Sequence, residues 1–236
     1  YVLRYNLVQI FKYERRDFSY SAPADASEEF IDSLPFALTA GQRAAANQII
    51  SALKSDKLTN MLVQGEVGCG KTAVALLAMY FAARCGYQSA LMTPTEVLAR
   101  QHYSSMIKLL EPLGIKTQLL CASMTAKQRE AAMFNIKFGA ADCIVGTQSL
   151  ISDSVEYRDL RLVVVDEQQR FGVNQRAKLE SKGGKTDMIV MTATPIPRTL
   201  ALSLYGELQQ TEIRELPTGR PAIHTAVVPS EKIENM

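Results

Sequence analysis

The string GEVGCGKT at residues 65–72 limits what this chain can fold into more than any other stretch. It satisfies G-x-x-x-x-G-K-[ST], with Gly65, Gly70, Lys71 and Thr72 on the pattern, and lies between a β-rich apolar run at 61–64 and an apolar helical run at 73–83. Glycines at this spacing let successive backbone N–H groups turn into one concavity. A helix that starts there adds the positive end of its dipole, so the concavity suits phosphate oxygens. Glu66, Val67, Gly68 and Cys69 complete the loop around it. Lys71 is then placed to reach the β- and γ-phosphates of ATP, and the Thr72 hydroxyl to coordinate Mg²⁺. The plain alternative is a glycine-rich turn with no ligand, and the strand-loop-helix context argues against it.

Short β-rich apolar runs at 61–64, 89–93, 117–121, 143–146, 162–166 and 188–192 alternate with helical patterns. Such alternation predicts an α/β fold, a mostly parallel sheet with helices on both faces. LVVVD and MIVMT lack in/out alternation, as expected of strands covered on both sides. Ligands of such a sheet gather at the C-terminal ends of the strands. The residues with chemical character fall there: Gly65 onward, Pro94 and Thr95, Gly146 and Thr147, Asp166 and Glu167, and 192–194. Two further strand-like runs, 212–216 and 223–228, flank the turn Pro217-Thr218-Gly219. At the other end, Leu3, Leu7, Ile10 and Phe11 have helical spacing within residues 1–16, ahead of a polar, proline-containing stretch at 19–29.

A phosphate loop needs an acid at the end of another strand to hold the metal's waters. LVVVDE supplies Asp166 for Mg²⁺ and Glu167 beside it to orient or deprotonate an attacking water. A surface acidic pair is the bland alternative. Gln42 has two readings that spacing leaves open: the second half of a capping box with Thr39, or a contact to adenine.

Charge gives little guidance, because 26 Lys and Arg against 24 Asp and Glu leave a net charge of +2 and no basic footprint. The four cysteines have no C-x-x-C spacing and only two histidines accompany them, so reduced thiols and a cytoplasmic setting are expected rather than disulfides or zinc. The apolar run at 73–83 is too short to span a bilayer, which takes about 20 residues. The chain opens with Tyr1 rather than Met, which leads us to expect a piece of a longer polypeptide.

With these residues assembled, the strings LPFALTAGQ, GEVGCGKT, MTPTEVLARQHY, IVGTQSLI, VVVDEQQRFGV, MTATPIPRTLALS and ELPTGRP, in this order, resemble superfamily-two helicases. The resemblance is greatest to the RecG family, with Mfd as nearest relative, and covers residues 34–228. It implies a RecA-like motor domain that uses ATP and Mg²⁺ and grips DNA. Gln42 matches the adenine-contacting motif, and Gln169 the coupling position after the aspartate-glutamate pair. Thr192 and Thr194 match the motif that links nucleotide state to DNA. Pro94, Thr95 and Glu96, with Gly146, Thr147 and Gln148, match two segments that hold the DNA backbone; spacing alone also allows ordinary helix capping at Thr95. Arg198, Arg100, Arg170 and Arg176 are candidates for phosphate or interdomain contacts, and equally for solvated surface positions.

The resemblance further implies a connecting helix and linker at 1–33, a first motor domain at 34–216, and from 217 a linker toward a second RecA-like domain. That domain would supply arginines to the transferring phosphoryl group, and a wedge domain would precede residue 1. Without them, ATP binding with poor hydrolysis and no unwinding is expected of the segment alone. Two departures stand out. Gln169 replaces a histidine usual in the family, so coupling there is expected to persist without a histidine titration. Cys69 replaces a small serine and either lines the phosphate nest, where alkylation would block ATP, or turns into the core unreactive. A P-loop small-molecule kinase and a non-catalytic nucleotide-binding module are the rival functions; no string suggests a kinase's acceptor pocket or lid.

Overall fold

The β-rich apolar runs, joined by one mostly polar edge strand, become the strands of one sheet. In the computed structural model, which describes residues 15–166, 184–194 and 209–215, these are β1 (Asn60–Gly65), β2 (Gln88–Met92), β3 (Thr117–Leu120), β4 (Cys143–Gly146), β5 (Leu160–Asp166), β6 (Asp187–Thr192) and β7 (Gln209–Ile213). Their order is β3-β4-β2-β5-β6-β1-β7, and every pairing is parallel. The described helices are α1 (Ala26–Ser33), α2 (Ala40–Lys54), α3 (Lys71–Arg84), α4 (Glu96–Leu110) and α5 (Ala126–Lys137).

Both faces of the central strands are covered, which is why β5 and β6 are apolar without a break over 162–165 and 188–191. Along β5, Leu162 and Val164 join the larger core beneath α2 and α3, while Val163 and Val165 join a second core with Ala132 and Ile136 of α5. This alternation is the two-residue period of a strand. Helix α3 is buried from Ala73 through Ala82 and lies at the centre of the larger core. Each fully buried Leu, Met or Phe there contributes about 1.5–3 kcal/mol.

Residues 15–33, assigned above to a connecting helix and linker, pack onto this core. Tyr20, Phe30 and Ile31 are buried, and the Phe30 ring lies 5.4 Å from that of Tyr80. Arg15 forms an antiparallel bridge with Lys57, so a helix does not extend to residue 15; residues 1–14 lie outside the described part. The cause of the extended backbone is Arg16. Its guanidinium is fully buried and donates to Asp187 Oδ1 from Nε (3.1 Å) and Nη2 (2.9 Å), and to Thr59 Oγ1 (2.7 Å). It also donates to the carbonyls of Ala52, Leu53 and Ser55, capping the C-terminal end of α2 with a positive charge.

The last described strand differs from expectation. The strand placed at 212–216 forms instead at Gln209–Ile213, because edge pairing with β1 sets its register, Gly65 opposite Ile213. The run at 223–228 lies outside the described residues, as does the turn at 217–219.

Candidate nucleotide and nucleic-acid site

Parallel pairing puts the C-terminal ends of all seven strands on one rim. Val63 of β1 is opposite Met191 of β6, which is opposite Asp166 of β5. Asp166 therefore lies two strand spacings from β1, about 10 Å, and the glycine-rich loop leaves β1 two residues beyond that level, at Gly65. The chain crosses between β1 and β2 over β5 and β6, so this rim includes a switch in strand order, where open α/β sheets bind ligands.

The loop has the backbone of an anion nest. Gly68 and Gly70 adopt φ of 85° and 89°, left-handed values that other residues rarely accept. Helices α2, α4 and α5 are capped by the hydroxyls of Thr39, Thr95 and Thr125, whereas α3 starts from Gly70 with no side-chain cap. The hydrogen bonds of α3 begin with Ala73 N to Gly70 O, so the N–H groups of Lys71 and Thr72 have no intrahelical acceptor. Lys71 Nζ donates to the carbonyls of Gly65 (2.6 Å) and Glu66 (3.0 Å), which holds the ammonium over the loop.

Gln42 supports the loop from behind. The capping box with Thr39 is formed, with Thr39 N–H donating to Gln42 Oε1 at 2.9 Å and Gln42 N–H to Thr39 Oγ1 at 3.2 Å. The other end of the amide does a second job, because Gln42 Nε2 donates to the Cys69 carbonyl at 2.8 Å. A Cβ at Gly70 would lie 2.2 Å from that nitrogen. Gly70→Ala combines this clash with a left-handed φ and is expected to cost about 2–3 kcal/mol. The melting temperature should then fall by roughly 4–12 °C; an unchanged melt would show that the loop does not need the glycine.

The two readings of Cys69 separate here. Its thiol is 1% exposed and belongs to the larger core, against the position a Gly65 side chain would occupy. Alkylation of folded protein is thus no route to the phosphate nest, and the part Cys69 plays there is its carbonyl.

Around the acid, Asp166 ends β5 and Thr192 ends β6. Thr192 is buried, and its hydroxyl accepts from Thr194 N (3.2 Å) and lies 3.1 Å from the Thr194 hydroxyl, a closed turn beside β1. Glu167, Gln169, Arg170, Arg176 and Arg198 lie outside the described residues. Sequence reasoning missed His102. On α4, its Nε2 is 3.0 Å from Asp166 Oδ2, with both side chains largely buried. The available signal was a histidine in the apolar stripe Ala99, Met106, Leu110.

Further along the rim, Pro94 and Thr95 are exposed ahead of α4. Thr95 Oγ1 accepts from Leu98 N at 3.3 Å, so ordinary capping is present, and the N–H groups of Glu96 and Val97 have no intrahelical acceptor. The Glu96 carboxylate accepts from Ser123 N–H (3.0 Å) and the Ser123 hydroxyl; these bonds hold its carboxyl below the usual range. Arg100 donates to the same hydroxyl at 3.0 Å. Gly146 belongs to the same rim, since Thr93 donates to its carbonyl from both N–H (2.9 Å) and hydroxyl (3.3 Å). A Cβ on Gly146 would be 2.2 Å from the Leu120 carbonyl, so β3 and β4 leave no room for a side chain. Thr147 bonds Ser149 at 3.2 Å, and Gln148 is exposed.

Residues 39–202, which include the loop, the acid and the rim segments, match the DEAD/DEAH box helicase family. The chain belongs to that family. Within it, the chain is 46% identical to the ATP-dependent DNA helicase RecG of Staphylococcus epidermidis over 209 residues, 89% of this chain and 30% of the relative. Identity to the same-named protein of Bacillus subtilis is 46% over 207 residues, 88% of this chain and 30% of that one. The chain thus spans about three-tenths of the length of these relatives. Among solved structures, RecG bound to a three-way DNA junction superposes with a TM-score of 0.77 at 36% identity, covering 99% of this chain and 31% of that one. The DEAD/DEAH helicase fold here is RecA-like. Among the described residues no helix is long and apolar enough to cross a membrane.

Proposed function

We propose that the chain is the ATP-binding motor domain of a DNA helicase or translocase that remodels branched DNA. The observation that carries this reading is the convergence, on one rim, of an uncapped helix N-terminus behind a left-handed glycine loop and a strand-terminal aspartate two strands away. The likeness to RecG, solved on a three-way junction, supports the choice of substrate.

ATP phosphates would rest on the N–H groups of Lys71 and Thr72, with the Lys71 ammonium turning from its own carbonyls to the β- and γ-phosphates. Among the described residues no three His, Cys, Asp or Glu side chains could hold an ion. That fits Mg²⁺, which is usually held by one or two carboxylates, waters and phosphates rather than by a protein cage. Thr72 and Asp166 would hold it, and it would neutralise charge on the transferring phosphoryl group. Glu167 would activate the water and Gln169 couple the site to a second RecA-like domain. Gln42 would serve adenine from the edge of its capping box.

The exposed N–H groups at the start of α4, with Thr147 and Gln148, would take DNA backbone phosphates, giving binding that is salt-sensitive and indifferent to sequence. Glu96, being anionic, would act by fixing that helix start against Ser123. Thr192 and Thr194 would relay nucleotide state across the rim, and Arg198 would reach DNA. That the RecG relatives are much longer than the matched segment supports further domains in the same polypeptide, for which the resemblance implies a second RecA-like domain and a wedge.

The test is steady-state ATP hydrolysis by the polypeptide that carries this domain, with and without branched DNA. Stimulation by the junction is the expected result. Phosphorylation of a metabolite would point to a kinase, and nucleotide binding without turnover to a regulatory module. Glu167→Gln should abolish turnover and leave ATP affinity within a few-fold; normal turnover in that variant would remove Glu167 as the base.

A further inference from the structure

The buried face of α4 consists of Ala99, His102, Met106 and Leu110, three apolar residues and one imidazole. A buried imidazole is costly without a hydrogen-bond partner. His102 has one 64 positions away: its Nε2 lies 3.0 Å from Asp166 Oδ2. An ionised carboxylate can only accept, so His102 Nε2 carries the hydrogen. The bond spans two parts of the rim. Asp166 closes β5, and α4 is the helix whose first turn follows Pro94 and Thr95, seven residues and roughly 10 Å along the axis from His102.

Carboxylates that bind a metal or its waters are themselves oriented by hydrogen bonds from surrounding groups, and losing such a partner typically costs about 10–100-fold in metal affinity or activity. We propose that His102 is a positioning residue for the metal site: by donating to Oδ2 it fixes the Asp166 carboxylate and leaves Oδ1 to face the waters of the nucleotide-bound cation. This rests on the nucleotide reading above and adds a residue that the phosphate-loop pattern does not contain. A histidine retained only to fill the core would leave metal affinity untouched.

Two replacements separate positioning from packing. His102→Leu keeps an apolar side chain in an apolar stripe and removes the donor. His102→Gln keeps an N–H donor at about the same reach. The measurement is Mn²⁺ affinity by electron paramagnetic resonance in the presence of a non-hydrolysable ATP analogue, beside analogue affinity in EDTA and a thermal melt.

His102→Leu is expected to weaken Mn²⁺ binding by about 10–100-fold, with metal-free analogue affinity unchanged, and His102→Gln to restore most of the loss. Mn²⁺ affinity unchanged in His102→Leu, a parallel loss of metal-free binding, or no recovery in His102→Gln would each overturn the proposal. Failure of the wild-type chain to bind the Mn²⁺-analogue complex at all would instead overturn the nucleotide reading.

Discussion

Lys71→Ala is expected to weaken binding of Mg-ATP by between about 30-fold and 4000-fold while leaving the fold in place. The two halves of that expectation come from different contacts. Among the described residues the Lys71 ammonium bonds the Gly65 and Glu66 carbonyls, at the partly exposed mouth of the loop. Among the described residues its removal leaves no charge buried without a partner, so stability should change by less than about 1 kcal/mol. With ATP bound, the same ammonium would face the β- and γ-phosphates, and truncating one partner of a hydrogen-bonded charge pair costs about 2–5 kcal/mol. At about 1.4 kcal/mol per tenfold, this gives the stated range. Titration with a fluorescent ATP analogue, beside a thermal melt, checks both parts. Near-normal affinity would mean that the loop does not hold a triphosphate as proposed.

The largest effect on stability should come from a residue far from that loop. Arg16→Ala removes a buried guanidinium that meets the buried Asp187 Oδ1 and the carbonyls at the end of α2. Breaking one side of a buried pair strands the other charge, at about 3–5 kcal/mol. For a chain of this size that lowers the melting temperature by roughly 6–20 °C.

The effect should also depend on pH. Burial raises the Asp187 carboxyl above its ordinary range, while Arg16 and the Thr59 N–H pull it back. Without Arg16 the folded-state value rises further above the unfolded one. A carboxyl so shifted is most compatible with the fold when protonated, and its contribution is lost as pH rises through the folded value. The deficit of Arg16→Ala relative to wild type should therefore be smallest in acid and widen toward neutrality. A loss below about 1 kcal/mol, or a deficit that shrinks as pH rises, would show that the pair does not hold residues 15–33 to the core. Arg16→Lys should recover only part of the loss, since an ammonium cannot donate to Asp187, Thr59 and the α2 carbonyls in one planar fork.

The parts of this architecture that were legible in the sequence are those whose cause is local. The phosphate loop announces itself because the tight turn needs glycine where it occurs, and β5 and β6 show unbroken apolar runs at 162–165 and 188–191 because both of their faces are covered. The capping box of Thr39 and Gln42 could be seen four residues at a time. What it could not reveal was the Gln42 amide's second bond, to a carbonyl 27 positions on.

Long-range partners account for the other surprises. Arg16 meets Asp187 across 171 positions and His102 meets Asp166 across 64, and no periodicity marks either pair. The polar, proline-containing composition of residues 19–29 hid Tyr20, which is buried among Phe18, Phe81 and Tyr87. β7 lies three residues ahead of the run that the sequence suggests because an edge strand takes its register from its neighbour, and only Thr211 and Ile213 of it are buried.

The central claim, that the loop and the acid share one metal-bound nucleotide, is tested most directly by a double-mutant cycle. Thr72→Val and Asp166→Asn would be made singly and together, and Mn²⁺ affinity read with a non-hydrolysable ATP analogue bound. Residues that share one ion should give effects that are non-additive by about 0.5–3 kcal/mol. Strict additivity, or metal affinity indifferent to either change, would place the two residues at separate sites and contradict the account.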